Sequence, residues 1–76
     1  MDYLEHLSAL LGCVYLSDLH WRTISRQQAN TILAEPLDRP EHEYLDAARY
    51  ILGDCAGEYP DAGDARKAIA AYLLNH

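Results

Sequence analysis

Seventy-six residues suffice for one domain, and a chain this short buries only about 60% of the surface its unfolded state exposes. Half of the residues are hydrophobic and 24% are charged, which excludes a wholly disordered chain. The net charge is −6, and positions 38–64 alone hold eight acids against two arginines, so the acidity is regional; one lysine and five arginines in all argue against a nucleic-acid binder.

The N-terminus carries acids where a signal peptide carries a basic flank, and it has no long apolar run, so neither a leader nor a membrane span is expected and a cytoplasmic setting follows as the default. Asp2 and Glu5 make a D-x-x-E start, an acidic variant of the capping box. Tyr3, Leu4, Leu7, Leu10 and Leu11 then form one stripe of a 3.6-residue period, and Gly12 can close the helix in a left-handed conformation.

Cys13 to Leu16 is apolar but has no second strand-like run to pair with, so it reads as a buried connector. Ser17 then caps a brief helix through Asp18, Leu19, His20 and Trp21. Ser25 and Gln28 repeat the capping box for a helix over about 26–34, with Ala29, Ile32 and Leu33 facing inward and Pro36 forcing its end. Thr23 and Ile24 are β-branched but not forbidden in a helix, so the two segments are either one helix or two, with a break near Thr23 preferred.

Asp38, Arg39, Pro40 and Glu41 again read D-x-x-E, with proline in the first turn where its missing amide costs little. Tyr44, Leu45, Ala48, Ile51 and Leu52 make the buried stripe of this helix, and Gly53 closes it as Gly12 closes the first. Residues 53–60 have a loop composition. The last helix caps on Asp61 and turns Ala62, Ala65, Ile69, Tyr72 and Leu73 inward as far as about Asn75. The fold class is therefore all-α: a compact bundle of four to five short helices forming a single helical domain over residues 1–76.

Chemistry-bearing residues are sparse and ill-spaced. His6, His20, His42 and His76 would have to come from separate elements to meet on a metal, and Asp54, Glu58, Asp61 and Asp64 miss the alternating pattern of a calcium loop, so no metal or cofactor is expected. Cys13 and Cys55 lack the close spacing of a zinc or redox motif and read as reduced structural thiols, a single disulfide being the alternative. Cys13, Ser17, Asp18 and His20 have the residue types of a nucleophilic triad, but Ser17 is better explained as a cap and a small bundle has little volume for a water-excluding pocket. An enzyme is not expected.

A helix-turn-helix reading joins Leu16 to His20, a turn at Trp21 to Thr23 and a second helix in which Arg26, Gln27 and Asn30 would face bases. The turn lacks glycine and only Arg22 and Arg26 are near, so DNA binding is a further alternative. The best candidate surface is acidic: Glu41, Glu43, Asp46, Asp54, Glu58, Asp61 and Asp64 around Tyr59, suited to a larger protein with a basic surface. Tyr15 and Trp21 are candidates for burial in a homodimer, because short chains often complete their cores by association.

The stretches Gly12-Cys13-Val14-Tyr15-Leu16-Ser17-Asp18-Leu19-His20 and Tyr44-Leu45-Asp46-Ala47-Ala48-Arg49-Tyr50-Ile51-Leu52 resemble short uncharacterised helical proteins of gut Firmicutes and their mobile elements. The resemblance covers about half the chain and carries no catalytic motif. It implies a bacterial cytoplasmic setting and residence on a phage or conjugative element, where an acidic protein of this size would act as an inhibitor of a host defence nuclease by mimicking nucleic acid.

Overall fold

Asp2 takes an extended conformation (φ −82°, ψ 176°) and its carboxylate accepts the Glu5 amide at 2.9 Å, so the first helix, α1, runs Tyr3–Leu11. It ends in a complete Schellman motif: Gly12 is left-handed (φ 72°, ψ 26°), its amide donates to the Ala9 carbonyl, and the Cys13 amide donates to Ser8 at 2.9 Å. The computed structural model describes residues 2–13, 15, 18–19, 23–53 and 59–75.

Between α1 and the next helix, Asp18 and Leu19 lie in a 3₁₀ turn whose Asp18 amide donates to Tyr15 O at 3.1 Å. Leu19 is fully buried. The expected cap at Ser17 and the expected helical residues His20 and Trp21 lie outside the described residues. Thr23 to Ser25 are non-helical, which places the break where the sequence suggests it. Ile24 is buried there, and its amide donates to Leu73 O at 3.0 Å, satisfying a carbonyl in the last turn of the C-terminal helix.

Helix α2, Arg26–Ala34, starts from a full reciprocal box: Ser25 Oγ accepts the Gln28 amide at 3.1 Å and Gln28 Oε1 accepts the Ser25 amide at 3.0 Å. It stops at Glu35, whose extended backbone (φ −69°, ψ 145°) is the one Pro36 imposes on its predecessor.

The same rule corrects the next helix start. Asp38 is not its cap: α3 runs Glu41–Leu52 with Pro40 at the N-cap and no side-chain capping bond. Pro40 disfavours helical backbone at Arg39, so the helix cannot begin until the proline has passed. Glu41 and Glu43 supply negative charge to the first turn instead. Gly53 does close α3 with a positive φ of 58°, but its ψ of −127° makes it unlike Gly12; its amide donates to Arg49 O. That backbone region is open almost only to glycine.

Helix α4, Ala62–Asn75, begins as expected from Asp61, whose carboxylate accepts the Asp64 amide at 2.9 Å. α4 is the organising element: it packs most extensively on α3, then on α2, while α1 packs on α3. Ala47 and Ala48 of α3 and Ala65 and Ala70 of α4 are buried, and their small side chains allow close helix approach around Tyr44, Ile51, Ile69 and Leu73. The protein is an all-α bundle, with four helices among the described residues and a Cα radius of gyration of 11.0 Å.

Two leucines assigned to the core lie elsewhere. Leu10 is 37% exposed and Leu33 is 39% exposed. At about 100° per residue, the buried Tyr3, Leu7 and Leu11 drift steadily around α1 toward Ser8 and away from Leu10. Ser8 can be buried because its hydroxyl donates to Cys13 O at 3.2 Å.

Candidate functional site

The described members of the predicted acidic cluster take different local roles. Glu43 is half-buried: its Oε1 accepts the Tyr3 amide at 2.9 Å and lies 3.6 Å from Arg39 Nη1, so it ties α1 to α3. Asp61 serves as the cap of α4, with Asp64 half-buried in its first turn. Tyr59 is half-buried against the core rather than displayed at the centre of a rim. Glu41 and Asp46 are exposed, and Asp54 and Glu58 lie outside the described residues. Of the residues assigned to self-association, Tyr15 is 69% exposed and Trp21 lies outside the described residues.

A different acidic surface emerges between α1 and α3. Asp2, Leu4, His42, Glu43, Asp46, Ala47 and Tyr50 line a cleft of about 390 Å³. Its aromatic is Tyr50, 37% exposed, in place of Tyr59. The signal was present in the sequence: His42, Glu43, Asp46, Ala47 and Tyr50 recur at i, i+1, i+4, i+5 and i+8 on one helical face. The contribution of Asp2 and Leu4 required α1 to pack on α3.

The opposite character prevails between α2 and α4. Arg26, Ala29, Asn30, Leu33, Lys67, Ala70, Ala71 and Leu74 line a groove of about 330 Å³. Arg26 and Asn30, the residues a DNA-binding reading singled out, flank an apolar floor there; Gln27 is exposed beside them.

A third feature, unforeseen from the sequence, joins α1, the α2–α3 connection and α4. The carboxylate of Glu35 chelates His6 Nε2 through both oxygens at 2.9 and 3.1 Å. Arg66 of α4 donates from Nη2 to Leu33 O at 3.0 Å and from Nη1 to Glu35 O, clamping carbonyls at the C-terminus of α2. A cation there also complements the negative end of that helix. Tyr3 stacks near His6 with ring centroids 6.2 Å apart and tilts against Tyr44 at 4.4 Å. Burial pushes the Tyr3 phenol well above its usual range, with the Arg66 guanidinium opposing that shift.

Among the described residues, no group of three or more His, Cys, Asp or Glu side chains is placed to hold a metal ion, and no helix is long and apolar enough to cross a membrane. Cys13 is half-buried against the core, and Cys55 lies outside the described residues. No protein-family model matches the chain, and no curated protein or solved structure matches it either.

Proposed function

We propose that this protein is a small non-enzymatic protein–protein interaction module whose acidic, tyrosine-bearing surface binds a basic face of a larger protein. The α1/α3 cleft carries the reading: exposed Asp46 and partly exposed Tyr50 combine charge with an aromatic beside Leu4, Asp2 and Glu43. Carboxylates on such a surface speed encounter and select partners, while tyrosine and leucine supply area that can be desolvated on binding. Glu41, exposed in the first turn of α3, extends the charge.

The test is affinity capture from the native host followed by binding measurements on the recovered partner. Double reversal of Glu41→Lys and Asp46→Lys, both at exposed positions, is expected to weaken binding at least tenfold, and wild-type affinity is expected to fall as salt rises. Unchanged affinity in both experiments overturns the reading. The defence-nuclease version is the special case in which the basic face is a nucleic-acid groove, and it adds one requirement: duplex nucleic acid must compete with this protein for the partner.

Self-association through the region of Tyr15 draws support from the 69% exposure of that ring. Sedimentation at rising concentration tests it, and a strict monomer excludes it.

A further inference from the structure

The α2/α4 groove is built from one pattern used twice. Along α2, Arg26, Ala29, Asn30 and Leu33 stand at i, i+3, i+4 and i+7. Along α4, Lys67, Ala70, Ala71 and Leu74 repeat that spacing, again with a cation first, then alanine, and leucine last. The two helices are antiparallel: the Ile24 amide, just before α2, donates to Leu73 O near the end of α4, and Arg66, near the start of α4, donates to Leu33 O near the end of α2. Arg26 and Leu74 therefore share one end of the groove, Lys67 and Leu33 the other, and the groove reads nearly alike in both directions. From cation to leucine each helix rises about 10 Å, or two turns.

The fold does not account for the two charges. Neither Arg26 nor Lys67 is in an ion pair among the described residues, and no residue lining the groove is acidic. Arg26 stands in the first turn of α2, where a cation opposes the helix dipole. In a chain of net charge −6, this hollow of about 330 Å³ carries cations alone. Its floor is apolar, and the small side chains of Ala29, Ala70 and Ala71 leave room for a further helix to approach closely. The apolar surface continues past Leu33: Leu37 is 45% exposed, and its Cδ1 lies 3.7 Å from where a Cβ on Gly63, one turn before Lys67, would stand.

We infer that this groove binds an acidic amphipathic helix of a partner protein, laid along the alanine floor with its carboxylates against Arg26 and Lys67. Such a helix is read through apolar side chains at i, i+3, i+4 and i+7. Because the cations stand at opposite ends, the occupant carries acids at both ends of its apolar stripe. A second copy of this chain fits less well. Two-fold pairing of the groove with itself sets cations against cations, and the acidic surface of another copy is itself a cleft, so two hollows would face each other. Duplex nucleic acid gains nothing from the apolar floor, and two cations neutralise few phosphates. The groove shares no residue with the α1/α3 cleft, so this inference stands or falls separately from the binding of a basic partner.

The probe is a blocked synthetic peptide of about 15 residues with leucines at i, i+3, i+4 and i+7 and glutamates at both ends of that stripe. Its control carries lysine in place of each glutamate. Added to the isotope-labelled full chain, the acidic peptide is expected to shift the Leu33, Ala70, Ala71 and Leu74 resonances saturably, leave those of Asp46 and Tyr50 in place, and bind more weakly as salt rises. Arg26→Glu with Lys67→Glu is expected to lower its affinity at least tenfold and to take up the lysine peptide instead, an exchange that an unfolded variant cannot make. Equal binding of the two peptides by the wild-type chain, or no saturable shift at the groove, overturns the inference, as does a groove that responds to duplex DNA and not to the acidic peptide. If the double variant does not fold, Arg26→Gln removes a cation unfavourable to α2; it is expected to keep the wild-type melting temperature or raise it while weakening the acidic peptide about threefold, and undiminished binding has the same force against the site.

Discussion

The α1/α3 cleft and the α2/α4 groove share no helix and no residue, and they differ in sign. The first presents Asp2, Glu43 and Asp46 beside Tyr50; the second presents Arg26 and Lys67 above alanines and leucines. A net charge of −6 thus conceals a protein with two chemically opposite surfaces, and only the acidic one is suited to a basic partner. Surface function in so small a chain follows from which helices become neighbours, because each cleft needs two helices to build its walls.

The seam between α3 and α4 joins the helix pairs that carry the two surfaces, so weakening it has the largest effect on both. Ile69 is fully buried, and Ile69→Ala is expected to destabilise the protein by about 2–5 kcal/mol, abolishing both surfaces together; chemical denaturation measures it. Charge reversal separates the surfaces instead. Arg26→Glu with Lys67→Glu is expected to leave partner affinity within about twofold, where Glu41→Lys with Asp46→Lys costs at least tenfold, or about 1.4 kcal/mol.

Smaller effects sharpen the contrast. Ser25→Ala removes half of the box that starts α2 and is expected to cost about 1 kcal/mol, lowering the melting temperature while leaving the acidic surface and its binding intact. A pH effect belongs to α1. The Tyr3 phenol is raised in the folded state from its ordinary value of 10.0, so unfolding allows it to ionise first. Its contribution to stability is complete below about pH 10 and declines as pH rises toward the folded value. Tyr3→Phe is expected to flatten that alkaline slope in denaturation curves, and an unaltered slope refutes the assignment.

Local rules were legible wherever the interacting groups lie within one turn. Asp2, Ser25 and Asp61 cap as their spacing suggests, and Gly12 closes α1, because each arrangement requires only a side chain, a backbone amide and three or four residues between them. Asp38 misled because two local signals competed, and the steric demand of Pro40 on Arg39 prevailed over the capping pattern. The candidate site was legible only in part: Glu41 and Asp46 do stand exposed on α3, whereas Tyr59 packs inward and Tyr50 takes the surface position.

The amino-acid sequence by itself determined the four helices of the described residues, most of their ends and most of their inner faces, since hydrophobic period and caps act over a few residues. Tertiary structure alone decided which charges remained available. Glu43 was drawn to the Tyr3 amide forty residues away, Glu35 to His6, and Arg66 to the carbonyls that end α2. A polar side chain goes to the nearest unsatisfied backbone or opposite charge in space, and helix packing chooses that neighbour.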